Sequence, residues 1–350
     1  MRLHYMQLPR EVIVGTEIVG SLGEVSSKLG FSGNILIVTG PKMLTLAQGD
    51  LTRSLEEASF SVDYLTVEDS TMESVIQAQK RIRDGKPSVV VGFGGGKDID
   101  VAKLSSANEK VPFISVPTTA SHDGIASSHA SIKGLDRPYS LRGQAPLAIL
   151  ADISVISSSP YRLIASGCGD VLAKYTAVRD WRLAHRVKGE YYGDYAAELA
   201  LMSARLVMRN AGSIKGLSES ALRTVVEALI SCGVAISIAG SSRPCSGSEH
   251  IFSHALSMIA PRPALHGEQC GVGAIMSAYL QGANWRLLRN VLRRIGAPTS
   301  SAELGIEDKY IVKALTMVHR LRPERYTIFG EHGISRLQAE RLARRTGVIP

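Results

Sequence analysis

The 350-residue sequence is poor in aromatic residues, which make up only 5% of it. Stacking platforms for single-stranded nucleic acid are therefore scarce. The four cysteines, Cys168, Cys232, Cys245 and Cys270, are scattered and form no C-x-x-C pair. That spacing excludes a zinc-finger framework and the disulfide frame of a small secreted domain. No unbroken apolar run reaches the ~20 residues that span a bilayer. The opening "MRLHYMQLPREV" lacks the apolar core of a signal peptide. The expectation is a cytoplasmic protein with no membrane insertion. Neither an internal repeat nor a low-complexity linker divides the chain.

What remains is ordinary globular material, 45% hydrophobic and 21% charged. Its length suggests about two domains. The net charge is +8. Basic residues are spread along the chain, with a denser C-terminal third in "WRLLRNVLRRIG", "VHRLRPERY" and "QAERLARRTG". A solvated basic face or an anionic small ligand explains this without nucleic acid. A DNA-binding reading would require steep salt dependence and gives no role to the glycine-rich strand described below.

The first 150 residues alternate between strand and helix patterns. "EVIVG", "NILIVTG", "SVDYLTVE", "PSVVVGFGGG", "VPFISVPTT" and "LAILAD" read as strands. Helical stretches stand between them. "STMESVIQAQKRIRDG" opens on a capping-box pattern, Ser70 or Thr71 before Glu73, and closes on Gly85. Such alternation predicts a parallel sheet covered on both faces. From about residue 157 the apolar spacing becomes helical throughout. The expected organisation is therefore an α/β Rossmann-like nucleotide-binding domain over 1–156 and an all-α metal- and substrate-binding domain over 157–350.

"VGFGGGKDIDVAK" runs from a strand into a helix. Gly94, Gly95 and Gly96 let a backbone approach a pyrophosphate, and the helix start at Lys97 offers free N–H groups. The run does not fit G-x-G-x-x-G and lies on a late strand, so a standard Rossmann fingerprint is not implied. The next strand ends in "VPTTASHDGIASSH", with Thr118, Thr119 and Ser121 as hydroxyl donors and His122 and Asp123 as titratable groups. After "NILIVTG" no acid follows to grip an adenosine ribose. Thr39, Gly40 and Lys42 leave room for a 2′-phosphate, which predicts use of NADP as well as NAD.

"SEHIFSHALSMIAPRPALHGEQCG" gathers His250, His254 and His266. His250 and His254 share a helix face, and spacing leaves open which of them ligates a metal. Asp170, in the apolar and glycine-flanked "GCGDVLAKY", is costly to bury as a bare charge. Beside a divalent cation that cost disappears. Three N and O ligands with an open position describe catalytic zinc. Lys174 shares a face with Asp170. It reaches a substrate phosphate, pairs with that carboxylate or sits in solvent.

"GFGGGKDIDVAK", "PTTASHDG", "GCGDVLAKYTAVRDW", "SEHIFSHAL" and "HGEQCGVG" together resemble archaeal glycerol-1-phosphate dehydrogenases, in order and over roughly residues 10–345. These belong with the glycerol dehydrogenases, iron-dependent alcohol dehydrogenases and dehydroquinate synthases. The resemblance implies a dehydroquinate synthase-like fold with its active site in the cleft between the domains. It implies reversible, NAD- or NADP-dependent reduction of dihydroxyacetone phosphate to sn-glycerol 1-phosphate for archaeal phospholipid backbones. One zinc ion per subunit would be held by Asp170, His250 and His266. His254 and Asp123 would be catalytic, and with Asp170 would meet the substrate. Gly94, Gly95, Gly96, Lys97, Asp98, Asp100, Thr118, Thr119, Ser121 and Ser127 would contact the cofactor. The alternative is a glycerol dehydrogenase acting on unphosphorylated glycerol. The long apolar helices lead us to expect a homo-oligomer.

Overall fold

The computed structural model describes residues 6–134 and 140–350. The chain divides into two compact units, Met1–Ser159 and Pro160–Pro350. Among the described residues the first contains eight strands: β1 (Glu11–Gly15), β2 (Asn34–Thr39), β3 (Ser61–Thr66), β4 (Val89–Gly94), β5 (Phe113–Pro117), β6 (His129–Ser131), β7 (Ser140–Arg142) and β8 (Ala148–Asp152). Six form one sheet in the order β1-β8-β5-β4-β2-β3, parallel at every pairing. β4, β5 and β8 are buried at every residue. This is the burial that continuous apolar strands inside a parallel sheet require.

Register fixes where the functional loops begin. Thr39 lies beside Phe93, and Gly94 beside Pro117, so β2, β4 and β5 end at one level. The chain leaves β2 first for β3 on one side and then returns to β4 on the other. A crevice at the carboxyl ends of β2 and β4 is the switch point where ligands bind in open α/β sheets.

Two local features differ from the sequence expectation. The Met72–Gly85 helix is capped by Thr71, whose hydroxyl accepts the N–H of Ser74 at 3.2 Å. The third helical position is thus Ser74, and Glu73 closes no capping box. The antiparallel β6–β7 pair was not foreseen, because three-residue strands show too little alternation to register.

Among the described residues the second unit is helical throughout. Its long Tyr161–Lys188 helix is buried on nearly every side from Ile164 to Ala184, which marks it as the central element. The Glu219–Ala239 helix is long and apolar enough to span a bilayer by length and composition, unlike any unbroken run in the sequence. Of its most apolar window, 72% is buried inside the unit, and it packs on Asp194–Ile214 and on the central helix. Packing accounts for its apolar character.

The central helix meets the His266–Leu280 helix backbone to backbone. A Cβ on Gly267 would stand 1.9 Å from the Ser166 carbonyl oxygen, and one on Gly169 would stand 2.3 Å from the Gly267 oxygen. No side chain fits there. Gly267→Ala should therefore lower stability by about 1–3 kcal/mol through forced backbone displacement. Gly20→Ala, with nothing within 4 Å of the new methyl, should stay within about 0.5 kcal/mol of the parent. Urea unfolding of both variants checks this, and an unchanged midpoint for Gly267→Ala would count against the close crossing.

Candidate active site

Helix crossings in the second unit bring four ligand-type side chains together. One ligand atom from each of Asp170, His250, His266 and Cys270 lies within 4.8 Å of all the others. His250 Nε2 is 3.2 Å from Asp170 Oδ1. The rings of His250 and His266 stand edge-on, with centroids 5.1 Å apart. His254 is outside the cluster, stacked on His266 at 6.1 Å. Spacing alone left His250 and His254 equivalent. The turn of the helix separates them, so His250 faces Asp170 and His254 does not.

Each clustered imidazole has one nitrogen held from behind. Glu249 Oε1 meets His250 Nδ1 at 2.8 Å. Ser253 Oγ meets His266 Nδ1 at 3.2 Å. The opposite nitrogens turn inward, His250 Nε2 to Asp170 and His266 Nε2 to within 3.5 Å of Cys270 Sγ. A carboxylate behind a histidine is the arrangement that orients metal-ligating imidazoles. Two imidazoles, one carboxylate and one thiol suit a divalent transition metal, and these donors do not by themselves separate zinc from iron. The set fits the cation that the sequence implied.

Burial would push the Asp170 carboxyl up, but Lys174 and His250 hold it well below its ordinary range. Burial likewise pushes the Cys270 thiol up, and His250 and His266 outweigh it, bringing it down to about 7. Cys270 was missed in the sequence. The available signal was its place four residues after His266 on one helical face. Lys174 is fully buried and donates to Asp170 Oδ1 at 2.8 Å. Of its sequence readings, the structure has the pairing with Asp170.

A buried polar layer backs the cluster. Glu249 accepts from Gly247 N–H at 2.7 Å and from the Thr176 hydroxyl at 2.8 Å. Asp180 accepts from the N–H groups of Ser248 and Ile328 and from the Gln281 amide, at 2.7–2.9 Å. Burial and the neighbouring Glu249 carboxylate push Asp180 up to about 6 against those donors. At the start of the His266 helix, Glu268 is buried. It takes two hydrogen bonds from Arg162 at 2.6 and 2.7 Å and one from Leu265 N–H at 3.0 Å. Glu249 and Glu268 carry no sequence signal beyond standing near His250 and His266, and Asp180 and Arg162 carry none.

In the first unit the glycines at the end of β4 do work that the sequence did not reveal. Gly94 has φ +155°, and a Cβ there would stand 2.1 Å from Asp98 Oδ2. A Cβ on Gly96 would stand 1.8 Å from His122 Nε2. Both positions are closed to side chains by this unit's own residues, and only Gly95 faces open space of the kind a ligand backbone would use. Asp98 Oδ2 accepts from Gly95 N–H at 2.9 Å, while its buried Oδ1 has no partner. Burial pushes its pKa up to about 6. The fold thus brings an acid beside Gly40, 3.2 Å from where a Cβ would stand, although none follows β2 in sequence. Thr39 Oγ1, buried at the same crevice, is also unpartnered.

The remaining residues are distributed around this crevice. Lys97 reaches the Glu68 carbonyl at 2.6 Å. Thr118 is buried and donates its N–H to Gly94. Thr119 donates to Ser121 at 3.3 Å. Ser127 is buried against the His129 carbonyl at 3.3 Å. Asp123 opens the short helical turn Asp123–Ile125, capped by His122. Asp100 is turned inward, accepting from Lys103 at 3.0 Å and from Ser131 N–H at 2.9 Å. Lys103 is fully buried. Its other donors reach the carbonyls of Gly124 and His129, each at 2.7 Å. This ammonium fastens the whole 121–131 loop to the Gly96–Asn108 helix.

The iron-containing alcohol dehydrogenase family matches residues 13–160. Over 349 residues the chain is 52% identical to the NAD(P)+ glycerol-1-phosphate dehydrogenase of Thermococcus kodakarensis, covering 99% of each. It is 54% identical over 345 residues to the protein of the same name from Methanothermobacter thermautotrophicus, covering 98% of this chain and 99% of that one. This chain belongs to the glycerol-1-phosphate dehydrogenase family. Its fold is the dehydroquinate synthase-like one. The glycerol dehydrogenase of Schizosaccharomyces pombe superposes with a TM-score of 0.83 at 20% identity, over 99% of this chain and 91% of that one. That likeness shows the fold alone, so it does not favour the alternative of a glycerol dehydrogenase.

For a member of this family, the loop that follows β5 should depend on Lys103. Lys103→Met leaves Asp100 buried without its cation and two carbonyls without a donor. The expected loss is about 3–5 kcal/mol, read as a shift in the urea midpoint. A loss under about 1 kcal/mol would mean that Lys103 does not fasten the loop.

Proposed function

We propose that this protein catalyses the reversible reduction of dihydroxyacetone phosphate to sn-glycerol 1-phosphate with NADH or NADPH. The observation that carries the reading is identity of about half the residues, over the whole length, to glycerol-1-phosphate dehydrogenases. The N, O and S donor cluster of the second unit, three of its four members buried, and the crevice at the β2–β4 switch point support it. Lipid-backbone synthesis in the cytoplasm is the role that fits such a product.

In this proposal Asp170, His250 and His266 hold one zinc ion per subunit, with Cys270 beside them. When bound, the zinc supplies Lewis-acid polarisation of the substrate carbonyl. When bound, the reduced nicotinamide supplies the hydride that adds to C2. The reaction also consumes one proton, which ends on the C2 oxygen. Burial and the neighbouring imidazoles of His266 and His250 push the His254 pKa well below its ordinary value. His254 is the group of the second unit suited to hand over that proton, with Asp123 as the acid contributed by the first. Glu249 keeps the Nδ1 side of His250 occupied and so fixes its tautomer.

The first unit provides the cofactor residues of the proposal: Gly94, Gly95, Gly96, Lys97, Asp98, Asp100, Thr118, Thr119, Ser121 and Ser127. Gly95 and the first-turn N–H groups after it suit a pyrophosphate. Asp100 contributes indirectly, by holding Lys103 and the β6 strand. Lys42 stays exposed after β2, which supports the use of NADPH beside NADH. Self-association is also part of the proposal. Tyr195, Met202 and Leu206 expose an apolar strip on one face of the Asp194–Ile214 helix.

The test is oxidation of NADPH and of NADH by dihydroxyacetone phosphate, with elemental analysis of the purified protein. A thousandfold preference for NADH would exclude the dual use. His250→Ala and His266→Ala should lose most of the bound metal and all turnover. His254→Ala should keep its metal and lose rate. If His254→Ala is the metal-free protein, the proposed ligand set is wrong.

A further inference from the structure

A dianionic substrate needs counter-charge, and Lys174 is already committed to Asp170. The second unit holds another set of cations. Arg243 stands in the loop that leads into the Ser248–Ile259 helix. It is buried, with two hydrogen bonds to Glu190 at 2.7 and 2.6 Å and one to the Tyr326 carbonyl at 3.0 Å. Its remaining terminal nitrogen, Nη1, is buried and has no partner. Arg322 pairs with Glu324 at 3.0 Å. Arg325 has only neutral partners, the Ser246 carbonyl at 2.8 Å and the Ser242 hydroxyl at 2.9 Å.

Of the two carboxylates that act on Arg325, Glu190 is already paired with Arg243 and Glu324 with Arg322. Burial and the two neighbouring arginines together push Arg325 down to about 9, far from the ordinary range of a group that is otherwise always charged. An arginine held this way lacks an anion. The site of that deficit is local to the metal cluster. Arg322 and Arg325 follow the Asp308–Leu321 helix, which packs on the helix carrying His250 and His254. Both arginines act on His254 electrostatically.

We propose that Arg325, together with Arg322 and the free Nη1 of Arg243, is the subsite that receives the phosphate of the substrate. The proposal rests on the reading that this enzyme reduces dihydroxyacetone phosphate, and it names the residues that would separate this substrate from its unphosphorylated analogue. Guanidinium donors match phosphate oxygens in pairs. A buried, unpartnered N–H is a donor already stripped of water, so an arriving oxygen completes it rather than competing with solvent. The missing counter-charge and the missing acceptor are supplied by one ligand.

The test uses full-length, metal-loaded protein. Arg325→Gln should raise KM for dihydroxyacetone phosphate roughly 10- to 150-fold, the loss of a charged hydrogen bond. KM for unphosphorylated dihydroxyacetone should stay unchanged. KM for NADPH and for NADH should also stay unchanged, because a rise for NADPH alone would assign the arginines to the cofactor phosphate and overturn the proposal. Inorganic phosphate should compete with dihydroxyacetone phosphate in the parent protein and weaken by the same factor in the variant. Equal losses on both ketones, or none, would overturn it. Arg322→Gln, at a partly exposed position, gives the same readout in the same direction if Arg325→Gln fails to fold. Thermal unfolding with and without inorganic phosphate separates the two layers of argument. If the parent protein ignores dihydroxyacetone phosphate but phosphate raises its midpoint, and not that of the arginine variants, the function is wrong and the anion subsite stands. If phosphate raises no midpoint and competes with no substrate, the subsite is wrong whatever the function.

Discussion

Ser166, Gly169 and Gly267 let two helices touch through their backbones, and the chemistry of the second unit hangs on that contact. Any side chain at Gly267 would overlap the Ser166 carbonyl, and any at Gly169 would press on Gly267. Close approach at this point sets Asp170, one residue on, against His266 at the start of the partner helix. Gly273 repeats the arrangement further along the same helix, where a Cβ would stand 2.9 Å from the Glu249 carbonyl oxygen. That contact brings in the third helix, with His250 on it. Four ligand-type side chains from three helices thus converge because glycines stand at the crossings. The residues between them are an ordinary apolar core.

Convergence of this kind is electrostatically expensive. Asp170, Lys174, Glu249, Asp180 and Glu268 are all buried within one unit, and a bare charge there would be disfavoured by far more than the protein's net stability. Each is instead held by several donors or by an opposite charge. Glu249 and Asp180 accept main-chain N–H groups at the very start of the His250 helix. Positive helix-end dipoles and negative side chains therefore offset each other. Such a layer gains little stability over an apolar one. What it gains is orientation, because the ring nitrogen of His250 that faces Asp170 is decided by the carboxylate behind it.

Much of this could be read in the sequence, and what could not has physical causes. Strands such as Val89–Gly94 announce themselves because burial on both faces requires an unbroken apolar run. Asp170, His250, His254 and His266 stood out because a carboxylate and a histidine-rich segment are rare in apolar surroundings, whereas the choice of His250 over His254 came only from the resemblance. The glycines after β4 were visible, but their reason was not. Gly94 makes room for Asp98, and Gly96 for His122, neighbours that only the folded loop brings back. Cys270 was passed over among the scattered cysteines, and the helix is what turns it, four residues after His266, into the same cluster. The three-residue β6–β7 pair and the Arg162–Glu268 clamp rest on contacts between residues distant in sequence, and such contacts leave no periodicity.

The two units solve the same problem in different ways. In the first, Lys103 spends all its donors inside the fold, on one carboxylate and two carbonyls, so it builds a loop and has nothing left for a ligand. In the second, Arg325 spends its donors on neutral oxygens and Arg243 keeps one unspent. A buried cation that is fully partnered is a structural element. One that is desolvated but under-partnered lowers the stability of the empty protein, and that deficit is recovered when an anion arrives. Polar groups left incomplete beside an otherwise satisfied network are where a fold reserves its binding energy.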